Sequence, residues 1–168
     1  MKMGIAFELK NGTTEGYCRI CGNFGRFTLD HIPPKSCGNK NKVLVKINEY
    51  EFISQNGFCC KTICNKCNNE LLGATLDKVF VQLYNRIKSF NASNLYVPND
   101  LLRISIDAKK LLRCLLGHML ATNVLGRKPI NKILQEKVES NFFLNNEYRK
   151  FVLGEIDKID SVDIYYWY

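Results

Sequence analysis

The sequence lacks any uninterrupted apolar run near the roughly 20 residues that a membrane-spanning helix needs. Its most apolar helical stretch, around residues 111–125, is interrupted by Arg113, His118 and Asn123. The N-terminal residues are too few and too soon charged to resemble a signal peptide. We therefore expect a cytoplasmic protein with no membrane partner. Internal repeats and low-complexity tracts are also absent.

Acidic residues are in the minority, with 16 Asp and Glu against 24 Lys and Arg, so the formal net charge of the 168 residues is +8. Hydrophobic residues make up 46% and charged residues 24%, which argues against a wholly disordered chain. Basic residues are dense in residues 19–66 and 103–132. Either stretch could neutralise phosphates, although an ordinary solvated surface explains each of them equally well.

The chain has eight cysteines, which is unusual. Without a secretion signal, a disulfide framework is the weaker interpretation, because cytosolic thiols stay reduced. Four of them form two C-x-x-C pairs, Cys18 with Cys21 and Cys64 with Cys67. Two pairs supply the four thiolates that close a tetrahedral structural zinc site, with Zn–S bonds of about 2.3 Å. This pattern favours zinc over a redox C-x-x-C. The remaining cysteines are expected to be small buried residues: Cys37, Cys59, Cys60 and Cys114.

The first 60 residues predict short strands and turns, punctuated by glycines and by Pro33 and Pro34. Strands are expected near residues 26–29 and 49–53, separated by a basic loop at 35–46.

From Cys64 onward the apolar spacing is helical, first over residues 71–87 and again over 108–120. Asn99 or Asp100 is expected to cap the second helix and Gly126 to end it. Two further helices over 129–140 and 146–153 and a strand in the C-terminal tail complete the prediction.

These patterns together predict an α+β chain with a boundary near residues 90–99. Residues 1–90 would form a cysteine-rich unit whose thin apolar core needs a structural metal. Residues 91–168 would form a helical unit.

Three polar residues lie beside the cysteine pairs: Asp30 and His31 between them, and Asn68 directly after the second pair. The runs Cys-Arg-Ile-Cys-Gly, Leu-Asp-His-Ile-Pro-Pro and Cys-Asn-Lys-Cys-Asn-Asn, followed by Gly73, resemble the HNH (ββα-metal) endonucleases. The combination is most similar to the branch with four zinc-binding cysteines, to which phage endonuclease VII belongs. The resemblance covers residues 17–80.

The resemblance implies a ββα-metal core with a structural four-cysteine zinc site, followed by a mostly α-helical C-terminal unit. It implies that Asp30 and Asn68 ligate a catalytic Mg²⁺ or Mn²⁺ and that His31 is the general base. The four cysteines of the two pairs would hold the zinc. The family residue that orients the base has no obvious counterpart here, since Asn56 is further from Cys64 than the family spacing requires.

The implied function is hydrolysis of phosphodiester bonds in double-stranded or branched DNA, with residues 91–168 positioning the DNA or forming a dimer. Phage, mobile-element and bacterial defence systems all use this motif. Imidazole suits this chemistry because its unperturbed pKa of about 6.5 lets it accept a proton from water near neutral pH. Cutting both strands predicts a homodimer. The alternative is a non-catalytic zinc module that binds nucleic acid or a protein, and a redox protein is a third reading. The other histidine, His118, is expected at the edge of the leucine face, outside the site.

Overall fold

The computed structural model describes residues 14–47, 50–94, 104–122 and 146–159. These residues form a mixed α+β fold. Its strands are β1 Glu15–Tyr17, β2 Phe24–His31, β3 Val43–Ile47, β4 Tyr50–Ser54 and β5 Cys59–Cys64. A π-helical segment Lys66–Leu76 leads directly into helix α1 Asp77–Asn91, and two further helices follow, α2 Ala108–Ala121 and α3 Asn146–Leu153. The predicted α+β class is confirmed.

Strand β2 is the centre of a three-stranded antiparallel sheet with the order β1-β2-β5. Its register with β5 shifts between Thr28 and Asp30, which is a local irregularity of the kind that re-aims side chains. Leu29 is 39% exposed, whereas Asp30 is only 3% exposed. The Asp30 carboxylate therefore faces the protein interior.

The predicted strand at 26–29 falls within β2, and residues 50–53 of the strand predicted at 49–53 belong to β4, while residue 49 lies outside the described residues. The loop expected at residues 35–46 is only partly a loop, because it contains the 3-10 turn Lys35–Cys37 and the first part of β3. Strands β3 and β4 pair as an antiparallel hairpin. The sequence did not indicate the length of this hairpin, because the stretch that contains β3 is rich in Lys and Asn.

The helices differ from the prediction at two points. The first begins with π winding, in which the Asp77 N–H donates to the Leu72 carbonyl five residues earlier. Helix α2 starts at Ala108 because the Asp107 side chain accepts a hydrogen bond from the Lys110 N–H at 3.0 Å. The predicted start at Asn99 or Asp100 is wrong, since residues 104–107 are not helical.

The helix predicted over residues 146–153 is confirmed. The expected stop at Gly126, the helix over 129–140 and the tail residues 160–168 lie outside the described residues. None of the described helices is long and apolar enough to cross a membrane.

One cluster of buried side chains links the strands to the helices on both sides of the predicted boundary. It includes Ile20, Ile63, Leu72, Leu116, Leu120, Phe151 and Val152. The buried Thr62 hydroxyl of β5 adds a polar link by donating to the Ala121 carbonyl at the end of α2. The division into residues 1–90 and 91–168 stays a prediction.

We expect Thr62→Val to destabilise the fold by about 1–3 kcal/mol, because it leaves a buried carbonyl at Ala121 without its donor. The measurement is the urea midpoint of unfolding, followed by circular dichroism. Thr75→Val is the matched control, since the exposed Thr75 hydroxyl makes a comparable bond to the Glu70 carbonyl. Equal shifts in the two variants would contradict the importance of this link.

Candidate metal centres

The two C-x-x-C pairs form a single cluster. The Sγ atoms of Cys18, Cys21, Cys64 and Cys67 all lie within 4.8 Å of one another. The Cys21 and Cys64 sulfurs are 3.8 Å apart. A tetrahedron with Zn–S bonds of about 2.3 Å has S–S edges of roughly 3.8 Å. The cluster has the donor atoms and the dimensions of a zinc site, and the prediction that these four cysteines can hold a metal is confirmed.

A turn holds the first pair of sulfurs in the cluster, and the junction between β5 and the π-helical segment holds the second pair. Residues 18–22 form a tight turn in which the Gly22 N–H donates to the Cys18 carbonyl at 2.8 Å. Gly22 has a φ of +78°, a conformation that side chains with a Cβ rarely adopt. Cys64 is the last residue of β5, and its N–H points to the Cys18 sulfur at 3.4 Å. Cys67 lies in the first turn of the π-helical segment.

Two arginines lie close enough for the charge of Cys18 to act on them. Burial lowers the pKa of both Arg19 and Arg149, and the negative charge of Cys18 opposes that shift. Arg149 of α3 also donates from Nε to the Ile20 carbonyl within the first cysteine turn, at 2.8 Å. Four thiolates around a divalent ion carry two net negative charges, so nearby guanidinium groups stabilise the site.

The structure brings Asn68 to the strand that ends in the Asp30–His31 pair. The Asn68 Nδ2 donates to the Thr28 hydroxyl at 2.9 Å and to the Leu29 carbonyl at 3.1 Å. His31 ends β2 and is half-buried. The assignment of Asp30, His31 and Asn68 to a catalytic site stays a prediction.

Asn56, the amide that sequence analysis considered for orienting the general base, is exposed at the turn between β4 and β5.

The four cysteines outside the C-x-x-C pairs are buried, as predicted.

The expectation for His118 is wrong, because this residue is 6% exposed and lies between two carboxylates. Its Nδ1 is 3.2 Å from Asp30 Oδ2, and its Nε2 is 2.9 Å from Asp77 Oδ1. Cys114 donates from Sγ to the same Asp77 oxygen at 3.4 Å. Burial alone would lower the pKa of His118, but the hydrogen bonds to Asp30 and Asp77 raise the pKa to about 12.

A signal for this second cluster was present in the sequence. Cys114 and His118 are four residues apart in a helical pattern, so they share a face of α2. Asp77 and Asp30 lie 41 and 88 residues from His118, and no spacing rule connects them to it.

No known protein family, curated protein or solved structure matches this chain.

We expect Cys64→Ser to lose one zinc ion per chain relative to the unsubstituted protein and to lose its cooperative thermal transition. A structural zinc site contributes free energy comparable to the net stability of a small domain. The measurements are elemental analysis and thermal melting by circular dichroism. Cys59→Ser is the control, since this buried cysteine lies outside the cluster. Retention of the full zinc content by Cys64→Ser would be incompatible with the site.

We expect Arg149→Gln to weaken zinc binding by roughly tenfold, the lower end of the effect of supporting groups around a metal. The reason is the loss of both a neighbouring positive charge and the hydrogen bond to Ile20. Competition with a chromophoric chelator measures the affinity. Arg86→Gln, an exposed substitution on α1, serves as the control. Identical affinities would show that Arg149 does not support the site.

Proposed function

We propose that this protein is a metal-dependent endonuclease of the HNH type, which hydrolyses DNA phosphodiester bonds. The observation that carries the proposal is the hydrogen bonding of Asn68 to the Thr28 hydroxyl and the Leu29 carbonyl, immediately before Asp30 and His31. Strands β2 and β5 are antiparallel and a helix follows β5 at once. This order of elements agrees with a ββα-metal core.

Each side chain of this group has a role in the proposal. His31 accepts a proton from the attacking water, a role that suits imidazole near neutral pH. Asp30 and Asn68 are the hard oxygen ligands of the catalytic ion. Asn68 donates through Nδ2, which leaves its carbonyl oxygen for a metal. A bound Mg²⁺ or Mn²⁺ would neutralise charge on the scissile phosphate. The four-cysteine cluster would hold zinc as a structural ion.

The substrate proposal follows from charge. Exposed lysines occur between β2 and β3 and at the start of the π-helical segment, namely Lys35, Lys40, Lys42 and Lys66. Cations in these positions would contact phosphates in double-stranded or branched DNA, and binding would weaken with rising salt. A homodimer would supply the two active sites that a double-strand cut requires.

A second candidate function is a non-catalytic zinc module that binds nucleic acid or a protein. The burial of Asp30 and its hydrogen bond to His118 favour this alternative. A carboxylate that already has a buried partner is less open to a catalytic ion. The two candidates share the zinc cluster and differ in whether any bond is cut.

We expect the purified chain with Mg²⁺ or Mn²⁺ to nick or cut supercoiled or branched DNA, and His31→Ala to reduce the rate at least 100-fold, within the usual contribution of a general base. Gel assays on supercoiled, linear, branched and single-stranded DNA measure this. Added imidazole should partly restore the activity of His31→Ala, which a merely structural role would not permit.

Asn68→Ala should also lose activity, because it removes a proposed metal ligand. Asn69→Ala is its control, since Asn69 is exposed and its side-chain amide donates to the neighbouring Asn65 side chain, away from the proposed site. Equal cleavage by His31→Ala and the unsubstituted protein would reject the nuclease. DNA binding without cleavage of any substrate would establish the non-catalytic module instead.

A further inference from the structure

We propose that Asp77, Cys114 and His118 form a second metal centre, distinct from the four-cysteine cluster, which binds Zn²⁺ or a similar transition-metal ion. One ligand atom from each of the three residues lies within 4.8 Å of the other two. Thiolate, imidazole and carboxylate together are a donor set that suits zinc rather than magnesium.

The distances between these ligand atoms fit one small ion. His118 Nε2 and Asp77 Oδ1 are 2.9 Å apart, and Cys114 Sγ is 3.4 Å from the same oxygen. Tetrahedral coordination with standard zinc bond lengths gives edges of roughly 3.3 Å for N–O and 3.6 Å for S–O. Movements of a few tenths of an ångström would therefore admit the ion.

Asp30 completes the arrangement from the far side of the imidazole ring. A metal-bound histidine almost always donates its second ring N–H to a carboxylate or a carbonyl, which fixes the tautomer and the ring orientation. Asp30 Oδ2 lies 3.2 Å from Nδ1 of His118, whereas Nε2 faces Asp77 Oδ1 at 2.9 Å. Nε2 would be the metal-binding nitrogen, and binding of the ion would displace its proton to solvent. Asp30 is a positioning residue in this centre and not one of its ligands.

The three ligands come from two helices, so the ion would join them. Asp77 begins α1, while Cys114 and His118 are one turn apart on α2. Cys114 is fully buried, whereas the Asp77 side chain retains 17% of its exposure. Three protein ligands leave a fourth position for water or another group.

This centre goes beyond the proposed nuclease and does not depend on it. The two proposals have no ligand in common and share only Asp30, which binds the ion in the nuclease and orients His118 in this centre. Metal counting on chosen variants therefore separates them.

The test is the number of Zn²⁺ or Co²⁺ ions bound per full-length chain, with magnesium and manganese absent. We expect two ions, measured by elemental analysis after gel filtration. Cys114→Ser and Asp77→Asn, which change size very little, should each reduce the count to one or weaken the second ion at least tenfold. In the Co²⁺ form, Cys114→Ser should also lose part of the thiolate-to-metal absorption.

Two controls assign the second ion to this centre. Cys59→Ser substitutes another buried cysteine and should retain two ions. Asn68→Ala removes a proposed ligand of the nuclease ion and should also retain two. A single ion in the folded unsubstituted protein would overturn the proposal, whatever the variants do. A second ion that is lost with Asn68→Ala but kept by Cys114→Ser would overturn it as well.

Discussion

The convergence of four cysteine sulfurs on one point is the constraint on which the rest of the structure depends. It joins the turn after β1 to the junction between β5 and the π-helical segment, across 43 residues of chain between Cys21 and Cys64. Phe27 pairs with Cys64 in the sheet, so the cluster also sets one end of the register between β2 and β5. Cys18 and Cys67 belong to the buried core cluster. A metal bound by the four cysteines would therefore stabilise the same part of the molecule as hydrophobic packing does.

The contact of His118 with Asp30 and Asp77 is a second constraint of a different kind. Burying charged groups costs free energy that only close, well-placed partners can offset. The imidazole meets that condition with a carboxylate on each ring nitrogen. Asp30 belongs to β2 and His118 to α2, so their hydrogen bond joins the central strand of the sheet to the helix.

The sequence predicted the features that depend on short-range spacing. The C-x-x-C pairs predicted the sulfur cluster, and periodicity predicted the helix over residues 146–153. It did not predict the pairing of Asp30 with His118, because a contact across 88 residues follows from the packing of α2 on the sheet. The start of α2 was misplaced because both Asp100 and Asp107 are good capping residues, and only tertiary structure selects between them. The nuclease assignment came from a resemblance and stays a proposal.

The π winding of residues 66–76 explains how one helix serves both clusters. Cys67, Leu72 and Asp77 are spaced by five residues, which is the hydrogen-bonding interval of a π-helix. In an α-helix, residues five apart would point about 140° away from each other. Here Cys67 faces the sulfur cluster, Leu72 is fully buried in the core and Asp77 meets His118. A regular α-helix that kept Cys67 in the sulfur cluster would turn Asp77 away from His118. The less common winding is therefore the geometric link between the four-cysteine cluster and the residues around His118.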